Sequence, residues 1–224
     1  MKGIFTVVVS LGLFLGVAQP VRSYERGTHE EISDTAVARS KLDAILKTQY
    51  GVQAGIEERI AGQAIRRWIR NGASLEDVPS FRARNHFHNP LQPWPQAGGL
   101  FGQSSIYWQQ NPSQGLGGTW SWPLARRRFF ESLTLPSKGD RGTALADTAQ
   151  ALGQVMHLIQ DATSPPHTRD DPHLIHDGYE ARVEELRQAN LTRFNQLLAA
   201  PPVSPSPLIF TPTGDPQRLS PSPD

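Results

Sequence analysis

The stretch from Thr143 to about Ala162 constrains the fold of this chain more than any other feature of the sequence. Leu145, Leu152, Val155, Met156 and Ile159 alternate there with polar positions at helical spacing, which predicts a long amphipathic helix. Ser164-Pro165-Pro166 ends it, because proline lacks the backbone donor that the next turn requires. Such a helix must bury its apolar face against other elements, and the rest of the chain offers further helices as partners. Thr28-x-x-Glu31 has the form of a capping box, with Ile32, Ala36 and Val37 following on one face. Ala54 to Asn71 carries Ile56, Ile60, Ala64, Ile65 and Trp68 as a stripe, with Gly72 as its stop. Ala125 to Leu133 is helical again, and a last helix from about Leu174 to Ala200 carries Val183, Leu186, Leu191, Phe194 and Leu198. Between them, Val78 to Trp122 is rich in Gly, Pro, Asn, Gln and Trp and is predicted to be a long loop layer with short helical pieces. Irregular segments of that length are usually functional. Strand signals are weak, so the expected fold is all-α, a single helical domain.

At 224 residues the chain has room for one domain and a short tail. Its 38% apolar residues suffice for a core. Residues 201–224 hold 8 of the 19 prolines and no helical period, which predicts an extended tail after a domain spanning 24–200. Met1-Lys2 followed by the apolar run Ile4 to Ala18 reads as a signal peptide, too short for a membrane-spanning helix. Cleavage after Ser23 is favoured over cleavage after Ala18, and would leave Tyr24 as the new N-terminus of a secreted or periplasmic protein. A net charge of +1 argues against a broadly basic nucleic-acid binder held by phosphate contacts. With no cysteine, thiol nucleophiles, thiolate zinc fingers and iron–sulfur clusters are excluded, and any metal must be held by His, Asp, Glu or backbone groups.

The seven histidines point to such a metal. His157 and Asp161 are i, i+4 on the long helix, so their side chains share a face and can converge on one ion. His167 follows just past the Pro-Pro break, and His176 with Glu180 repeats the i, i+4 arrangement. His86 sits in the loop Asn85-His86-Phe87-His88-Asn89-Pro90, and Asp77 lies in a loop where it can serve as a ligand or a general base. His29 is five residues past Tyr24, whose freed α-amine titrates near 8 and can be neutral enough to ligate a metal. Imidazole and carboxylate ligands without thiolate suit catalytic zinc, with manganese, iron and cobalt also compatible.

Taken together, these windows resemble the superfamily that joins bacterial zinc-dependent phospholipase C to the fungal single-strand nucleases. The family pattern has an aromatic N-terminus, an early His, an Asp five residues past a glycine and a His-Phe loop. His-x3-Asp-x5-His and His-x3-Glu follow. It lies in order on Tyr24, His29, Asp77, His86, His157, Asp161, His167, His176 and Glu180. The resemblance implies a helical fold with three zinc ions. One would be held by His86, His157 and Asp161 with Asp77 as ligand or catalytic base, one by His167, His176 and Glu180, and one by the Tyr24 terminus, His29 and the other oxygen of Asp161. It implies hydrolysis of a phosphate diester, in a phospholipid with peripheral membrane contact or in single-stranded nucleic acid, and no stable protein partner. Tyr24 replaces the usual Trp, His88-Asn89 replaces Tyr-Asp, and Val78 stands where the phospholipase branch has an aromatic residue associated with choline. The Tyr24–His29 spacing looks like the nuclease branch, for which a base-stacking pocket beside Phe87 would be diagnostic. Arg84, Arg126, Arg127 and Arg128 are candidate phosphate-facing cations. Trp94, Trp108, Trp120 and Trp122 are candidate contacts for a base or lipid. A non-catalytic metal-binding module is the third reading, with one wall of the cleft lost where the chain turns Pro-rich.

Overall fold

The computed structural model describes residues 25–99, 101–115, 117–169 and 178–201. The proposed signal peptide, Tyr24, His176 and the Pro-rich tail beyond Pro201 lie outside the described residues. As the periodicities predict, the fold is all-α. Helices α1 (Arg26–Arg39) and α2 (Leu42–Gln49) lead into a two-strand hairpin, β1 (Arg59–Ile60) and β2 (Gln63–Ala64), which pairs antiparallel with Arg59 opposite Ala64. α3 (Ile65–Leu75) follows, then an irregular layer holding α4 (Ser105–Gln110) and two short 3-10 segments, Ser80–Asn85 and Trp94–Gln96. α5 (Trp122–Thr134), α6 (Lys138–Asp161), α7 (Gly178–Ala189) and α8 (Leu191–Ala199) complete the chain. No helix among the described residues is long and apolar enough to cross a membrane.

α6 is the axis of the fold. Ser137 caps its start, the Oγ accepting from the Asp140 backbone N–H, so it begins one and a half turns earlier than the apolar pattern implies. α3 and α5 pack along it. Val37, Leu46, Ile56, Ile65, Ile69 and Ala149 form the buried apolar cluster, with Leu145, Met156 and Trp68 partly buried around it. The approach of α3 to α6 is unusually close because each helix puts a glycine at the crossing. A Cβ on Gly72 would lie 2.2 Å from the Gln150 carbonyl oxygen, and one on Gly153 would lie 2.0 Å from that of Ile69.

Four local expectations change. Ala54–Asn71 is not one helix: Ala61 (φ 44°) and Gly62 (φ 92°) both adopt left-handed backbone, the requirement of a two-residue primed hairpin turn, so the helix starts only at Ile65. Gly72 is not its stop but a close-approach residue inside α3. The capping box at Thr28 does not form, since α1 already begins at Arg26 and the Thr28 hydroxyl donates to Glu184 (2.8 Å) across the fold. The last helix is two, because the Asn190 side chain accepts from the Arg193 N–H (2.9 Å) and starts α8 afresh. Ile159, counted in the apolar stripe of α6, is 57% exposed, while its neighbours His157, Gln160 and Asp161 are buried. The apolar face of this helix therefore gives way to a polar one in its last turn.

Candidate metal centre

That polar face is where the chain converges. His157 and Asp161 come from the last turn of α6 and His29 from the first turn of α1. Asp77 lies just past α3, His86 ends the 3-10 turn Ser80–Asn85, His167 sits in the 3-10 turn Pro165–Thr168, and Glu180 is in the first turn of α7. His29, His86, His157 and Asp161 are 0% exposed. The Asp161 carboxylate is the hub: Oδ2 lies 2.8 Å from His86 Nδ1 and 3.1 Å from His157 Nε2, whereas Oδ1 faces His29 Nε2 at 3.4 Å. Asp77 Oδ1 is 3.7 Å from both His86 Nδ1 and His157 Nε2, which are themselves 3.2 Å apart. In each of the groups His86–His157–Asp161 and His29–Asp77–His157, the potential ligand atoms all lie within 4.8 Å of one another. Beside them His167 Nε2 meets Glu180 Oε1 at 3.1 Å.

The histidine orientations are held from outside. His157 Nδ1 donates to the Ala73 carbonyl (2.6 Å), one of the last carbonyls of α3 that the helix itself leaves unpaired. The glycine crossing of α3 and α6 brings that carbonyl within reach. His29 Nδ1 donates to Gln160 Oε1 (2.7 Å), and Gln160 is oriented in turn by donating its amide to Ser33 Oγ (2.7 Å). His167 Nδ1 faces the His86 carbonyl at 3.3 Å. With Nδ1 carrying the proton, the Nε2 lone pairs of His29 and His157 are aimed at carboxylate oxygens. Acceptors thus face acceptors at around 3 Å, an arrangement that needs a proton or a cation between them. Asp77 Oδ1 and both oxygens of Asp161 are buried without a hydrogen-bond partner among the described residues. Buried polar atoms left in that state call for an ion or a comparable group.

Electrostatics point the same way. Burial opposes charge on His86, yet the Asp161, Glu76 and Asp77 carboxylates push its pKa up to about 10. His157 and His167 are also raised against their burial, His157 chiefly by Asp161 and Asp77, His167 by Asp161 and Glu180. Asp161 is held well below the carboxylate range, burial being outweighed by the charge on His157 and His167 and by the close approach of the His157 and His29 rings. His29 alone is lowered, by burial and by the charge on His157. The C-terminal end of the 24-residue α6, with its partial negative charge, opens onto the same spot and adds to the attraction for positive charge.

Of the nine residues expected in the site, the structure brings together His29, Asp77, His86, His157, Asp161, His167 and Glu180; Tyr24 and His176 lie outside the described residues. The candidate phosphate-binding arginines are less informative: Arg84 and Arg126 are exposed, Arg127 and Arg128 pair with Glu131, and Arg128 also faces Asp147. Trp122 is exposed and Trp94 and Trp120 are half-buried, but Trp108 is buried and donates Nε1–H to Glu76 (2.6 Å). Phe87 does not offer a stacking face. It is 6% exposed, stacks on His167 at 4.6 Å, and lies so close to Gly99 that a Cβ there would be 2.8 Å from its ring. Sequence reasoning missed Glu76, Arg82, Gln154, Gln160 and Glu184, all buried and all hydrogen-bonded near the centre.

The fold and site define an all-α protein with a buried His/Asp/Glu cluster at one end of its central helix, able to hold a metal ion. No protein-family model, curated protein or solved structure shows a significant match to the chain.

Proposed function

We propose that this protein is a zinc-dependent phosphoric diester hydrolase of the phospholipase C type, exported and processed so that Tyr24 is its N-terminus. The observation that carries the reading is the two-sided Asp161 carboxylate, with His86 and His157 on Oδ2 and His29 on Oδ1. A bridging carboxylate needs both oxygens turned to different ligand sets, and only Asp or Glu offers that. The ligand sets are those the resemblance implies: His86, His157 and Asp161 with Asp77; His167, His176 and Glu180; the Tyr24 amine, His29 and Asp161. Thiolate-free His/carboxylate donors, with the Nε2 atoms of His29 and His157 facing Asp161, suit zinc. Zinc held by these residues would supply a hydroxide near neutral pH and positive charge for a displacement at phosphorus.

The chain's own groups do the remaining work. The Asp77 side chain is 11% exposed where Asp161 is 0%, so Asp77 is the carboxylate of its group that an incoming water reaches, and it takes up that water's proton. His29 and His157, fixed by Gln160 and Ala73, hold their lone pairs in place without reorganisation. Burial keeps bulk water from the inner carboxylates. The enclosed ring of Phe87 favours the lipid substrate over the single-strand nuclease reading, because a base has no stacking face there. Val78, 42% exposed, replaces an aromatic head-group contact and points away from a choline-specific enzyme.

The test is elemental analysis of the chain processed to Tyr24 and purified at neutral pH, followed by assays on phospholipid vesicles and on single-stranded DNA. Three zinc ions and chelator-sensitive release of phosphorylated head groups are expected. Nuclease activity alone would favour the other branch, and one ion or none, without hydrolysis, would leave a non-catalytic metal-binding module. A chain with one residue added before Tyr24 is expected to lose one ion.

A further inference from the structure

The outer nitrogens of His29, His157 and His167 face neutral acceptors: an amide oxygen and two backbone carbonyls. His86 differs. Its Nδ1 faces Asp161, and its Nε2 points at Glu76 Oε1, 3.7 Å away, with both side chains essentially without solvent exposure. Glu76 is itself held on both oxygens. Oε1 accepts from Trp108 Nε1 (2.6 Å) and Oε2 from Arg82 Nη2 (2.7 Å). Arg82, 1% exposed, reaches on to Gln154 Oε1 (3.2 Å) of α6, to Gln114 Oε1 (3.3 Å) and to the Gly118 carbonyl (2.9 Å), and lies 4.9 Å from the centre of the Trp108 ring. A buried carboxylate is thus aimed at one histidine of the cluster and fixed there by Trp108 and Arg82. The desolvation cost of burying it is offset by the arginine on Oε2, while Oε1 faces both Trp108 and His86.

Resting on the metal-centre reading above, we infer that Glu76 is the positioning carboxylate of His86. It accepts the Nε2 proton and directs the Nδ1 lone pair to the ion shared with His157 and Asp161. A carboxylate behind a ligating histidine fixes its tautomer and typically contributes 10–100-fold in metal affinity. Arg82 holds Glu76 in place and ties it to the wall formed by Gln114 and Gly118.

Zinc affinity, measured by competition with a chromogenic chelator on the chain processed to Tyr24, tests this with three variants. Glu76→Gln and the charge-balanced pair Glu76→Gln/Arg82→Gln are expected to weaken one zinc ion by about 10–100-fold and leave the others unchanged. Arg82→Gln, which disturbs the same buried network but keeps the carboxylate, is expected to lower thermal stability while holding zinc within a few-fold of wild type. An equal loss in Arg82→Gln, or none in the Glu76 variants, overturns the proposal. A measurement on the wild type guards against variants that do not fold. In the zinc-loaded protein the His86 Nε2 proton, assigned by its cross-peak to Trp108 Nε1–H, is expected furthest downfield of the imidazole N–H signals. A position among the other histidines overturns the carboxylate contact. Absence of zinc binding by the wild type would instead refute the metal-centre reading itself.

Discussion

Asp161 is asked to do more than any other side chain in the centre, and the consequence is specific to its chemistry. Asparagine has nearly the same shape but a single carbonyl oxygen, so Asp161→Asn is expected to lower the zinc content by more than one ion per chain. Loss of one ion only, by elemental analysis, would remove the bridging assignment. Asp77 makes the contrasting case, since its side chain is 11% exposed where that of Asp161 is fully buried. Asp77→Asn is expected to reduce the hydrolytic rate by about 10²–10⁴-fold, with fold and most of the zinc retained, as for removal of a general base. Its local sequence context, a loop after a helix, made Asp77 a credible candidate from the outset. Glu76 next to it gave no such signal, because what distinguishes the two is burial. Glu76 is held by Trp108 and Arg82, and Arg82 in turn by Gln154, 72 residues further along the chain. A charged residue in a loop reads as solvated until its distant partners are known.

Helix packing positions these residues, and two contacts between helices matter most. The glycine crossing of α3 and α6 brings the Ala73 carbonyl to His157. Gly153→Ala would place a methyl 2.0 Å from a backbone oxygen that cannot swing aside, so the helices must separate. The expected cost is about 1–3 kcal/mol, read by urea unfolding, together with weaker zinc binding as His157 loses its acceptor. The second contact joins α1 to α7. Glu184, one turn beyond Glu180, accepts from Thr28 Oγ1, Arg187 and Gln188 and so fixes the turn that carries His29. Burial would raise its carboxyl, but those hydrogen bonds prevail and hold it below its ordinary value of 4.5. A depressed folded value means stability that is complete above about pH 4.5 and is lost as pH falls through the folded value. In metal-free protein, Glu184→Gln should therefore melt well below wild type at neutral pH, and the gap should narrow on acidification. A constant gap would show that the charge is immaterial. The i, i+4 pairing of His157 and Asp161 was legible because helical spacing is local. The hairpin was not, since Ala61-Gly62 is a weak turn signal beside the apolar residues that flank it.

Across the whole molecule, the centre gathers α1, the end of α3, the loop layer, α6 and α7, so bound ions link segments far apart in sequence, as His29 and Asp161 are. It also replaces the protons that hold together buried groups of like polarity. Chelation is expected to lower the melting temperature by about 10 °C relative to protein with zinc near a thousandfold above its dissociation constant, from about 4 kcal/mol of linkage spread over a chain of this size. Scanning calorimetry with and without chelator checks this. An unchanged transition would mean that the cluster is held by protons alone.

The sequence by itself determined the helical class, the placement of α5, α6 and the α7–α8 region, and the residues with the chemistry to bind a metal. Each of those follows from short-range periodicity or residue type. Tertiary structure alone decided which oxygen of Asp161 faces which histidine, which histidine is backed by a carboxylate, and that Phe87 is enclosed. These are distances between groups far apart in the chain, and they exist only once the glycine faces of α3 and α6 have met and the loop layer has closed over Glu76.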